Sequence, residues 1–204
     1  MSLTERAKQI IVSPQKEWDV IAQEPADVSK IITGYVVPLA AVAAIAAFIG
    51  WSFIGAGFGM FRMMGLSWGI YYGVTVFVSA IVSVYISAFI IDALASNFAS
   101  EKNMGRSVQL VAYSFTPVWV AGILSILPFL SIIAMIAGLY GLYLLYLGFP
   151  KLKNTPADKH LPYFVVSLIV TVVVYWVLFW ILGYILMSLM GLSGMATMKG
   201  LYSR

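Results

Sequence analysis

Between Ile31 and Met190 the sequence alternates long apolar runs with short charged or turn-forming breaks. Five runs are long enough for a bilayer, whose hydrocarbon core takes about 20 apolar residues per helix. They are Ile31–Ile54, Ser67–Ile91, Ser107–Leu127, Phe129–Phe149 and Leu161–Met190. Backbone polar groups inside hydrocarbon must be satisfied within the protein, and helices do this. The predicted fold class is therefore all-α: a polytopic membrane protein, a bundle of five transmembrane helices preceded by short amphipathic helices. The fifth run is long for one crossing and is expected to tilt or to leave the membrane at its end. Pro128 leaves almost no loop between the third and fourth runs, which should form a tight antiparallel hairpin. The fourth run is expected to stop at Pro150.

Composition narrows the function classes. Only 10% of residues are charged, against 62% hydrophobic; a soluble domain carries about 25% charged residues. The net charge of +4 is no sign of a nucleic-acid partner, because the basic residues cluster at segment ends. The chain has no cysteine, which excludes disulfides, thiolate nucleophiles and cysteine metal sites. The single histidine, His160, sits in a basic loop and reads as solvated. No zinc or di-carboxylate spacing occurs. No catalytic residue, metal or cofactor is predicted, since the parts for general acid–base chemistry are missing.

Lysine and arginine placement sets the expected threading. Arg6, Lys8, Lys16, Lys30, Lys102, Arg106, Lys151, Lys153 and Lys159 fall on one side; Arg62, Lys199 and Arg204 fall on the other. The positive-inside rule then puts the amino terminus in the cytoplasm and the carboxyl terminus outside. Residues 1–30 form a cytoplasmic amphipathic region, 31–190 the five-helix domain and 191–204 an extracytoplasmic tail. The first thirty residues mix charge signs and lack an apolar h-region, so the first membrane run is expected to serve as the targeting signal. The expected location is a cell inner membrane.

Two helices are predicted ahead of the first run. Ser2 and Glu5 form a capping box, after which Leu3, Ala7, Ile10 and Ile11 share a face. Ser13 and Pro14 supply a second start, with Ser13 as cap and Pro14 at the first helical position; that helix presents Trp18 and Ile21. The apolar faces suit either the membrane surface, through Ile10, Ile11 and Trp18, or the protein's own cytoplasmic loops.

Polar atoms inside the runs form a candidate site. Pro38 and Pro117 have no N–H, so the carbonyls of Gly34 and Tyr113 lose helical partners. Counted inward at about 1.5 Å per residue, Gly34, Tyr113, Tyr143, Tyr146, Ser83 and Ser87 lie about 6–13 Å from the cytoplasmic segment ends. Together with Tyr35, Asp92 and the deeper Tyr140, they suggest a polar layer. The hydroxyl of Tyr143 or Tyr140 is expected to reach a group on the first, second or third run, with the carbonyls of Gly34 and Tyr113 the favoured acceptors. Small residues offer a plainer reading: Ser79, Ser83 and Ser87, Ala134 with Gly138, and Ala137 with Gly141, have the spacing of closely packed membrane helices. Asp92, at a segment edge, reads as interfacial or as a buried proton-handling group.

The motifs "SPQKEWDVIAQEP", "GYVVPLAA", "AYSFTP" and "GLYGLYLLYLGFPKLKNTP" follow in order. From about Ser13 to Val170 the chain resembles the bacterial branch of the Yip family, the Ypt/Rab-interacting integral membrane proteins. The resemblance implies a cytoplasmic amino terminus and five membrane helices. Eukaryotic members act in vesicle trafficking and bind Rab-type GTPases, but the acidic D-L-Y-G-P signature many of them carry is missing here. For bacterial members the resemblance supplies no activity. The leading expectation is a non-enzymatic membrane-organising or adaptor protein. Its expected partners are the lipid bilayer, a protein at the cytoplasmic face and a second copy of itself. The alternative is a small transporter or conduit for a neutral or lipid-like substrate, since transporters place sites at broken helices.

Overall fold

The computed structural model describes residues 1–58 and 61–189. Helix α1 spans Leu3–Val12 and α2 spans Pro14–Gln23. The Glu5 N–H donates to Ser2 Oγ at 3.2 Å, one of the two bonds of a capping box. Ser13 precedes Pro14 at the cap position of α2 but makes no side-chain cap bond. Among the described residues, five helices follow that are long and apolar enough to cross a membrane: Val28–Ile54, Leu66–Phe98, Met104–Ile126, Met135–Lys153 and Ala157–Ile185. These are the first to fifth spans, and the protein is an all-α membrane protein. Met190 and the tail 191–204, with Lys199 and Arg204, lie outside the described residues.

Two local features depart from the sequence-based expectation. An antiparallel ribbon, β1 (Ala56–Phe58) with β2 (Phe61–Met63), joins the first two spans. The helix of the fourth span, Ser131–Lys153, runs through Pro150 instead of stopping there; a proline removes one backbone bond, and tertiary contacts can hold the helix across the gap. The first span meets Pro38 with a π-helical turn at Ile32–Val36, where the Val37 N–H donates to the Ile32 carbonyl. The third span breaks at Phe115 and ends in a 3₁₀ turn, Gly122–Ile126. Only Leu127 separates that turn from the next, Pro128–Leu130, which leads straight into the fourth span.

Small residues let the spans close up. The first span buries Ala40, Ala43, Ala44, Ala46 and Ala47. Against it, a Cβ on Gly69 would lie 1.8 Å from Ser52 Oγ and 2.7 Å from the Phe48 carbonyl. A Cβ on Gly141 would lie 2.8 Å from the Ser114 carbonyl. Such contact is how membrane helices gain packing where water gives no drive.

The core is concentrated at one end of the bundle, the end capped by α1 and α2. Ile10, Trp18 and Ile21 are fully buried there with Val84, Leu110, Leu144, Phe149 and Tyr163. Toward the other end, Val42, Ile45 and Phe53, then Val120 and Ile123, then Ile132, Met135 and Leu139 are exposed, as lipid-facing positions should be. The fifth span leaves Val172, Val173, Trp176 and Trp180 exposed along its length.

The N-terminal helices dock on the membrane helices themselves. Trp18 packs edge-on to Tyr113 with centroids 6.4 Å apart and fills the space at Gly148, whose Cβ would lie 2.8 Å from the indole. Ile10 and Trp18 are thus spent on protein, not on the membrane surface. An amphipathic face has the same pattern for either bed, so the sequence left both open. Burying each such side chain contributes about 1.5–3 kcal/mol.

Candidate functional site

The docked helices bring charge into the capped end. Arg6 is buried, and its two terminal nitrogens donate to the carboxylates of Glu17 and Glu24. Its guanidinium lies 5.6 Å from the Tyr113 ring centroid, within cation–π range. One side chain therefore ties α1 to both ends of α2 and to the third span. Arg106 Nη1 donates to the Glu24 carbonyl at 3.0 Å and to Gln109 Oε1 at 2.9 Å. Gln109 Nε2 donates to the Pro25 carbonyl at 3.3 Å. Beside this network lies a cleft of about 400 Å³ lined by Arg6, Lys30, Gly34, Tyr35, Gln109 and Tyr113.

Two of the carbonyls freed by prolines, those of Tyr113 and Tyr146, have identifiable partners. Thr116 Oγ1 donates to the Tyr113 carbonyl at 2.7 Å. That commits the threonine proton, so Tyr35 OH, 2.7 Å from Thr116 Oγ1, is the donor in their bond. The result is a relay from the first span into the break of the third. At Pro150 the freed carbonyl is that of Tyr146, and it lies 3.0 Å from His160 Nε2. A carbonyl only accepts, so His160 carries its proton on Nε2 here. Its ring also stacks on Tyr146 with centroids 4.3 Å apart. His160 is thus engaged at the fourth span rather than solvated in a loop.

Asp92 meets a partner that was expected to be a loop cation. Lys153 Nζ donates to Asp92 Oδ1 at 3.0 Å and to Ser107 Oγ at 2.9 Å. Its side chain is 0% exposed and that of Asp92 12%. Because the fourth helix continues past Pro150, Lys153 sits on its last turn and points into the bundle. The pair links the second, third and fourth spans. Tyr163 of the fifth span closes the same region by donating to the Ile91 carbonyl.

The tyrosines of the fourth span do not reach the expected acceptors. Tyr140 OH donates to the Ile11 carbonyl at 2.6 Å, on α1, and the Tyr113 carbonyl is taken by Thr116. The α1 terminus supplies an unpaired carbonyl, an acceptor no count along the spans would find. Tyr143 is exposed and tilts against Tyr140. Ser83 and Ser87 are buried and face Tyr175 of the fifth span, with Ser87 Oγ donating to Tyr175 OH at 3.3 Å.

The structure thus brings Tyr35, Tyr113 and Pro117 together beside Gly34 and Pro38. It places Asp92 in an ion pair, Ser83 and Ser87 against Tyr175 of the fifth span, Tyr140 against the Ile11 carbonyl of α1, and Tyr146 against His160. These are separate clusters, several of them at the capped end. Sequence reading missed Arg6, Glu17, Thr116, Lys153 and Tyr175 as members. Thr116 had a local signal, a hydroxyl beside Pro117 within reach of the Tyr113 carbonyl; the others are joined only by tertiary packing. Among the described residues no group of three or more His, Cys, Asp or Glu is placed to hold a metal ion. No curated protein and no solved structure matches the chain. Residues 8–181 match the model of the Yip1 domain, which covers most of the chain, and the protein belongs to the Yip1 domain family.

Proposed function

We propose that the protein is a non-enzymatic membrane-organising or adaptor protein of a cell inner membrane. The capped end faces the cytoplasm and the carboxyl terminus faces out, as the lysine and arginine distribution favours. The observation that carries this reading is the docked N-terminal pair of helices. Arg6 fixes it from inside, while Glu5, Lys8, Lys16, Asp19 and Gln23 stay exposed. A rigid, mixed-charge platform on a membrane bundle suits recognition of a protein partner, where charge complementarity sets specificity and encounter rate. The buried acids Glu17 and Asp92 are engaged in ion pairs and are not poised for acid–base chemistry.

The test is purification in mild detergent with protein and lipid analysis of what accompanies the chain. The adaptor reading expects a protein partner that is lost when Lys8 and Lys16 are both changed to Glu and the fold is kept. A stoichiometric small molecule without a protein partner would favour the conduit. One observation supports that second reading: the first span takes a π-helical turn before Pro38 and the third breaks at Phe115 before Pro117, and a cleft opens beside each.

A further inference from the structure

A second cleft, of about 410 Å³, opens between the second, third and fifth spans. Ala80, Val118, Trp119, Tyr175 and Leu178 are among its walls, and among the described residues none that lines it is charged. Its hydroxyls come from Ser79, Ser83 and Tyr175. Tyr175 already pairs with Ser87 and faces Ser83, so these polar atoms largely satisfy one another.

Three helices give the depth of this cleft independently. The polar end is marked by Tyr163 on the Ile91 carbonyl and by Ser107 on Asp92. Ser79, Trp119 and Tyr175 each lie roughly a dozen residues along their helices from those marks, or about 18 Å at the helical rise. A hydrocarbon core is about 30 Å thick, so the cleft sits near its middle. Its surroundings are continuous with the lipid-facing surface of the second and fifth spans, where Val78, Trp176 and Val177 are exposed. Water and polar solutes find no charge and few free donors there. Its volume falls in the range of about 300–1,000 Å³ usual for ligand sites.

We propose that this cleft binds one hydrocarbon chain of a bilayer lipid, drawn in laterally from the surrounding membrane. The inference concerns occupancy; it requires neither transport nor the adaptor role. Trp119 is only 5% exposed, so lipid packed around the outside of the bundle does not reach it, whereas a chain in the cleft does.

The experiment uses the full-length protein in bilayers containing a phosphatidylcholine with a photoactivatable diazirine near the end of one acyl chain. Labelled residues are mapped by mass spectrometry. The expected result is label at Val118 and Trp119 comparable per residue to that at Trp176 and Trp180 on the outer face. Ala80→Phe, which fills the cleft, should lower the cleft label at least fivefold and leave the outer label unchanged. Val118→Phe fills it from the opposite wall and replaces Ala80→Phe if that variant fails to fold, with Trp119 alone as readout. Label confined to the outer face of the wild-type protein would overturn the proposal. So would cleft label that persists in a folded, filled variant.

Discussion

Breaking the Lys153–Asp92 pair should cost far more than removing it whole. Lys153 is fully buried and its amine lies 3.0 Å from the carboxylate. At that distance and an effective dielectric of about 20 the attraction is about 5 kcal/mol, much of it offset by the cost of taking both ions out of water. Lys153→Met keeps the shape of the stem but leaves Asp92 with only Ser107 as a side-chain partner. Asp92→Leu leaves the ammonium with Ser107 and the Asn103 carbonyl. Each single change should destabilise the protein by about 3–5 kcal/mol, because an uncompensated charge stays buried. The double variant should fall within about 1 kcal/mol of wild type, since replacing a buried pair by packed apolar groups is often neutral. The cycle therefore predicts a coupling energy of at least about 5 kcal/mol, above the usual range of about 0.5–3 kcal/mol for neighbouring residues. Reversible unfolding in mixed micelles, followed by circular dichroism, supplies the four stabilities. Additive single effects, with the double variant as unstable as their sum, would refute a buried pair in this geometry.

Other perturbations test the remaining clusters. Arg6→Lys should release much of the N-terminal pair of helices, because an ammonium cannot bridge two carboxylates as the guanidinium fork does; hydrogen exchange in residues 3–23 should rise at least tenfold. Tyr35→Phe should cost less than about 1 kcal/mol, near the average for interhelical bonds in membranes. Thr116→Val should cost about 1–3 kcal/mol, since it strands both the Tyr113 carbonyl and the Tyr35 hydroxyl; thermal unfolding of the two variants gives the order. Gly69→Ala should destabilise by about 1–3 kcal/mol, as an overpacked contact does, because the new methyl meets Ser52 Oγ at 1.8 Å. Ser52→Gly should recover part of that loss in the same assay.

The spans were legible because hydrocarbon imposes a length and a composition that few other environments demand. The capping box at Ser2 and Glu5 and the turn at Pro128 were legible because both are local: a side chain reaches its own neighbours, or a ring removes a backbone donor. What stayed hidden depends on partners distant in the sequence. Arg6 and Glu17 meet only once α1 folds back on α2. In sequence, Lys153 reads as a loop cation beyond a helix stop at Pro150, yet the helix crosses Pro150 with His160 on the freed Tyr146 carbonyl. Tyr175 looked like one more aromatic residue in an apolar run until the fifth span placed it on Ser83 and Ser87. A count along each span orders its residues, yet it does not say which helices are neighbours, so one expected layer resolved into separate clusters.

The docking of α2 on the fourth span fixes the N-terminal helices to the bundle, and a native contact reports it. Asp19 and Lys151 form an ion pair whose side chains are each about half exposed, open to a water-soluble carbodiimide. In membranes, that reagent should convert the pair into an amide within one chain, joining a peptide of α2 to a peptide ending the fourth span. An Asp19–Lys151 amide as a major intramolecular cross-link, lost in Asp19→Asn, is the predicted result. Its absence, with Asp19 still reactive toward an added amine, or its formation only between isotopically distinct copies of the chain, would contradict the docked arrangement.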